Sequence, residues 1–155
     1  MNKIIAFTFL ILLLISCKEV YSPRNIDSIS IIEYVVDSSS IRAIQVIDDI
    51  TVCYSGSRGD IGFTEDNGVS WSKESIVYQD SIIPHFRSIA TNGKDIFALS
   101  IESPALLYKM YENTIELVYS EDHTKVFYDA IQFFYDGMHG IALGDPTEDC
   151  PSVIL

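Results

Sequence analysis

The sequence predicts an all-β fold, an incomplete β-propeller of about three four-stranded blades behind a lipoprotein signal peptide. Three observations predict it. Similar segments start near residues 41, 86 and 127, and a period of about 40 to 50 residues is that of propeller blades. Each start opens a short apolar run, a turn and a second short apolar run, the pattern of paired strands. Between the first two starts lies Thr64-Glu65-Asp66-Asn67-Gly68-Val69-Ser70-Trp71, a compact turn flanked by apolar residues.

The N-terminal segment, residues 1–16, reads as a signal peptide. Asn2 and Lys3 make a short, positively charged start, and Ile4 to Ile15 is almost wholly apolar, broken only by Thr8. Such a run falls short of the ~20 residues that a membrane-spanning helix needs and has the proportions of a signal-peptide core. It ends in Leu14-Ile15-Ser16-Cys17, which resembles a bacterial lipobox. That resemblance implies cleavage before Cys17 and acylation of its thiol. The expected location is the bacterial cell envelope, lipid-anchored in the outer membrane on the periplasmic or surface side. Each buried CH₂ contributes about 0.8 kcal/mol, so several acyl chains hold firmly where one is marginal. Residues 17–30, which include Pro23, are expected to be a tether, and the partial propeller to span 31–155.

Strand signals follow in order. Ile31 to Val36 is expected to be an outer strand completing a blade. Ile41 to Val46 and Ile50 to Tyr54 are apolar runs separated by the turn pair Asp48-Asp49. Phe86 to Ala90 and Ile96 to Leu99 flank Asn92-Gly93, a strong hairpin signal. Ala130 to Phe134 and Ile141 to Leu143 flank Asp136-Gly137. Ile41-Arg42-Ala43-Ile44 aligns with Phe86-Arg87-Ser88-Ile89 at an offset of 45, and Phe127-Tyr128-Asp129-Ala130-Ile131 follows Phe86 by 41. The turn at Thr64 falls opposite Met110 to Leu117, a degenerate copy with Glu112, Thr114 and Leu117 in place of Asp66, Gly68 and Trp71. No long amphipathic helix is expected. Roughly three blades cannot close a ring, which takes four to eight, and Ser152 to Leu155 reads as the opening of a further strand. The expectation is a piece of a longer propeller; the rival is a short chain that completes its ring by association, since an exposed strand edge demands pairing.

The turn explains itself physically. Asp66 can accept hydrogen bonds from backbone N–H groups and so close a turn. Gly68 supplies a φ > 0 that other residues adopt only at a cost. The segment resembles the Asp-box, Ser/Thr-x-Asp-x-Gly-x-Thr-Trp: Thr64, Asp66, Gly68 and Trp71 match, and Ser70 stands for the usual Thr. Ser40 to Ile44, Tyr54 to Ser57, Phe86 to Ile89 and His139 to Pro146 recur around it in family order. The chain therefore resembles the bacterial lipoproteins of the BNR-like propeller family, related to the photosystem II stability/assembly factor propellers and more distantly to sialidases. The resemblance implies a structural role at the blade periphery for Thr64, Asp66, Gly68, Ser70 and Trp71. It also implies a ligand site at the central channel, built by loops of several blades. Arg42, Arg58, Arg87 and Asp145 are the candidates for that face.

Charge excludes some partners. Lys+Arg number 10 against 22 Asp+Glu, a net charge of −12. Losing Lys3 with the signal peptide leaves nine basic residues and a net charge of −13. This disfavours nucleic acid, whose phosphates demand basic patches, and anionic lipid beyond the acyl chains. Cys53 and Cys150 are expected to be free thiols, with pairing in an oxidising compartment as the alternative. No cofactor is expected, because Gly56-Ser57-Arg58-Gly59-Asp60-Ile61-Gly62 lacks the spacing of a dinucleotide loop. No metal is expected either: His139, Asp145, Glu148, Asp149 and Cys150 match no zinc or calcium pattern. His85, His123 and His139 are isolated and expected to face solvent. The expected function is a lipid-anchored, extracytoplasmic module that binds a protein or glycan without catalysis of its own. The alternative is a sialidase-like glycan hydrolase in a longer protein, although Phe86-Arg87-Ser88-Ile89 lacks the proline of the sialidase Phe-Arg-Ile-Pro signature.

Overall fold

The structure, a computed structural model, describes residues 25–36, 38–112, 114–146 and the backbone of 153–154. The signal segment, Cys17 and Cys150 lie outside the described residues. The chain divides into two compact units, 1–31 and 32–155. Of the first, residues 25–31 carry no helix or strand and their side chains are exposed.

The second unit is built from antiparallel sheets that follow one another along the chain. The first holds β1 (Ile41–Val46), β2 (Val52–Gly56), β3 (Asp60–Thr64) and β4 (Ser72–Ser75), in that order. The second holds β5 (His85–Thr91), β6 (Ile96–Ile101), β7 (Ala105–Tyr111) and β8 (Thr114–Glu121), again in order. The third holds β9 (Tyr128–Phe133), β10 (Gly140–Gly144) and β11 (Val153–Ile154). The leading strands β1, β5 and β9 lie beside one another, the arrangement of successive propeller blades. The predicted all-β fold and partial propeller are therefore observed.

The expected strand over Ile31 to Val36 does not form. The fourth strand of the first sheet is instead Ser72–Ser75, which pairs with β3 from Phe63↔Ser72 to Asp60↔Ser75. The place beside β3 expected for the apolar run at 31–36 is taken by β4.

Each leading hairpin closes by the same device. The Oδ1 atom of Asp48 accepts from the N–H groups of Ile50 and Thr51 at 2.9 and 2.8 Å. Asn92 Oδ1 accepts from Lys94 and Asp95 at 3.0 and 2.7 Å. Asp136 Oδ1 accepts from Met138 and His139 at 3.0 and 3.1 Å. Short polar side chains that bond the backbone two and three residues on are natural turn formers. Here they recur every 44 residues, which makes them the firmest marks of the repeat.

The core lies between sheets. Successive residues of a strand point to opposite faces, so the second sheet packs on both sides. Ile89, Ala98, Tyr108 and Met110 join Cys53 and Ile61 of the first sheet, together with Phe86. Ala90, Leu99 and Ala105 join Tyr128, Ile131 and Ala142 of the third. Across the second interface the Ser88 hydroxyl accepts from the Ile131 N–H at 3.0 Å.

Candidate functional site

The leading strands share one irregularity, and it shapes a common rim. Pairing of β1 with β2 skips from Ile41↔Gly56 to Ala43↔Ser55, so Arg42 is an extra residue. Pairing of β5 with β6 skips from Phe86↔Ser100 to Ser88↔Leu99, leaving Arg87 extra. Pairing of β9 with β10 skips from Tyr128↔Gly144 to Ala130↔Leu143, leaving Asp129 extra. A bulge of this kind bends the strand and re-aims the extra side chain. The bulges also correct the third repeat start by one residue: Tyr128, not Phe127, is the counterpart of Phe86. Sequence reasoning missed Asp129 for that reason.

All four predicted ligand-face residues lie at this end of the sheets. Arg42 and Arg87 open β1 and β5. Arg58 sits exposed, at φ 67°, in the turn that joins β2 to β3. That turn is tied to both neighbouring strand starts: the Ser57 N–H donates to Ser40 O at 3.0 Å, and the Gly59 N–H to Pro84 O at 2.7 Å. Asp145, just past β10, donates its N–H to Phe127 O at 2.8 Å beside the start of β9. Arg87 pairs with Asp129 at 3.0 Å and lies 5.8 Å from the centre of the Phe127 ring. Arg42 is exposed and makes no ion pair among the described residues. Since half-exposed pairs contribute little stability, the Arg87–Asp129 bridge orients the rim more than it holds the sheets together. In the first sheet, Asp60 at the start of β3 is buried and takes hydrogen bonds from Ser75 and Lys73. Burial pushes its carboxyl up, but these bonds outweigh it and leave the group below the usual carboxylate range.

The Asp-box occupies the opposite end. Asp66 accepts from the Thr64 hydroxyl at 2.8 Å, the Ser70 N–H at 2.8 Å and the Ser70 hydroxyl at 2.6 Å. The Gly68 N–H donates to Thr64 Oγ1 at 2.8 Å, and the Asn67 N–H to Ile50 O at 3.0 Å in the β1–β2 turn. Led by Ser70, these donors hold the Asp66 carboxyl down at about 2. Gly68 has φ 85°. The Trp71 ring stacks on Tyr34 at 5.8 Å and leans on Tyr54 at 5.4 Å. Every acceptor of Asp66 is thus engaged in the hairpin. The degenerate copy is not an equivalent loop: Tyr111 pairs with Thr114, so Thr114 and Leu117 stand in β8. A groove of about 530 Å³ separates the two hairpins, lined by Phe63, Glu65, Glu74, Met110, Glu112 and Ile115 among others.

The remaining candidates disperse. His139 precedes β10 and Asp145 follows it, so the strand holds them apart; Glu148, Asp149 and Cys150 lie outside the described residues. His139 bonds Asp136 at 2.7 Å, and this contact, with the two turn N–H groups, holds the Asp136 carboxyl at about 2. His123 and His139 are exposed, but His85 is half-buried. Cys53 is a buried free thiol, pushed up to about 12 by burial.

No family model and no curated protein sequence matches the chain. Among solved structures it is similar to one described as YCF48 bound to D1 peptide, with a TM-score of 0.57 and 15% identity. The match covers 76% of this chain and 37% of that one, so this chain spans little more than a third of its structural neighbour. At that identity the likeness speaks for the propeller fold.

Proposed function

We propose that this chain is a lipid-anchored, extracytoplasmic propeller module that binds a protein partner through the rim of its leading strands and catalyses nothing itself. The observation that carries the reading is the gathering of Arg42, Arg58 and Arg87 at one end of the sheets, in a chain with 10 basic residues against 22 acidic ones. Guanidinium groups are suited to planar, bidentate recognition of carboxylates. A peptide bearing acidic side chains or a free C-terminus is the matching ligand class. The structural neighbour, by its description, holds a peptide, which supports a protein rather than a glycan.

The test is a peptide array probed with the full chain. Binding should concentrate on acidic peptides, weaken with added salt, and fall at least tenfold for the Arg42→Glu/Arg87→Glu variant. Binding that ignores both changes would move the site elsewhere. Anchoring has a separate test: Cys17→Ser should shift the chain from the membrane to the soluble fraction and abolish palmitate labelling.

A further inference from the structure

The three bulge residues share one register position, yet two are arginines and the third is an aspartate. The residue two places before each bulge is Ser40 in the first sheet, His85 in the second and Phe127 in the third. The two joints between sheets therefore differ. At the second joint, the start of the third sheet brings a carboxylate and an aromatic ring to Arg87. Asp129 Oδ1 lies 3.0 Å from Arg87 Nε, and the centre of the Phe127 ring lies 5.8 Å from Arg87 Cζ. At the first joint, the matching positions of β5 hold Arg87 and His85, and neither offers Arg42 a carboxylate. Arg42 makes no ion pair among the described residues.

A guanidinium carries five N–H groups in one plane. The carboxylate on the Nε side takes up one edge of that plane, and the ring holds its flat side. The edge of the two terminal nitrogens is left, and it can grip a second carboxylate with two parallel bonds. The side chains of Arg87 and Asp129 are 42% and 34% exposed. The pair thus contributes little to stability, and Arg87 stays open to a ligand.

We propose that Asp129 is a positioning residue of the rim: it fixes Arg87 so that the terminal edge of the guanidinium meets the carboxylate of a bound acidic peptide, while Arg42 supplies charge without a fixed aim. This rests on the reading of the rim as a peptide-binding face. A side chain held beforehand in its bound conformation spares the entropy that ordering it would cost. Removing the negative charge of Asp129 should therefore weaken an acidic ligand, opposite in sign to the effect of charge alone. The two arginines should also differ in tolerating lysine, which keeps a point charge but cannot hold Asp129 and present a fork at once.

The experiment measures fluorescence anisotropy of fluorescein-labelled tetraglutamate with the full chain in mild detergent. Asp129→Ala should weaken binding about tenfold, and that ratio should persist at high salt, where an effect of charge alone fades. Asp129→Asn, whose amide oxygen can still meet Nε, should stay within about threefold of the unmodified chain. Arg87→Lys should lose about tenfold and Arg42→Lys no more than about threefold. All four changes fall on exposed or half-exposed side chains, so melting points should not move. Equal or tighter binding by Asp129→Ala, or equal losses in the two lysine variants, overturns the proposal and leaves the rim as the binding face. No binding of tetraglutamate by the unmodified chain overturns the reading of the rim itself, and the role of Asp129 with it.

Discussion

Asp66 shows how one side chain builds a turn and how pH would undo it. Its folded value, about 2, lies below the ordinary 3.8. A depressed carboxylate adds stability that is fully present above the ordinary value and is lost as pH falls through the folded one. The hairpin should therefore hold at neutral pH and loosen between about pH 4 and 2. Trp71 is the only tryptophan and sits in the hairpin, so its fluorescence reports directly. The expected red shift on acidification should appear already at neutral pH in Asp66→Asn, with a melting point lowered by several degrees. An unchanged spectrum in that variant would remove Asp66 from the account. Gly62 makes a second residue-scale case. A Cβ there would collide with the Tyr54 ring, which is 2% exposed and covered by Trp71. Gly62→Ala should cost about 1–3 kcal/mol, as overpacking does, measured by urea unfolding.

At the scale of elements, the turns were legible and the outer strands were not. Asp48, Asn92 and Asp136 each announce a hairpin, because a short polar side chain beside Gly or Asp has a local job that needs no tertiary contact. Asn92→Ala removes two acceptor bonds and should cost about 1–2 kcal/mol, read from the midpoint of urea unfolding. The strand Ser72–Ser75 carried no such signal: all four of its side chains are exposed, so neither apolar alternation nor β-branching marks it. The run at 31–36 gave the opposite error, for apolar residues alone cannot supply a free sheet edge. The bulges at Arg42, Arg87 and Asp129 were hidden for a third reason. A bulge is a property of two strands in register, and one strand's sequence does not state its partner's pairing.

For the whole molecule, stability resides in the contacts between sheets. Phe86 is fully buried in the cluster joining the first two sheets and meets Tyr108 edge-on at 5.9 Å. Phe86→Ala should cost about 3–5 kcal/mol, as large-to-small core changes do. That is a large share of the stability of a single domain, so the variant should populate partly unfolded species at body temperature, seen as reactivity of the otherwise buried Cys53. Retained melting point and an unreactive Cys53 would show that the sheets stand independently. The repeat was legible at this scale because stacked blades reuse one solution. The shared rim was half-legible: Arg42 and Arg87 stood out as repeated residues, while only the register placed Asp129 with them and set Arg58 and Asp145 at the same end.

The claim that this rim is the binding face can be tested in the cell that makes the protein. A photo-crosslinking residue replaces Arg58 on the rim or Val69 on the opposite hairpin, each in the full chain. A protein adduct is expected from position 58, lost when Arg42 and Arg87 are both changed to Glu, and none from position 69. An adduct formed from position 69 alone would contradict it.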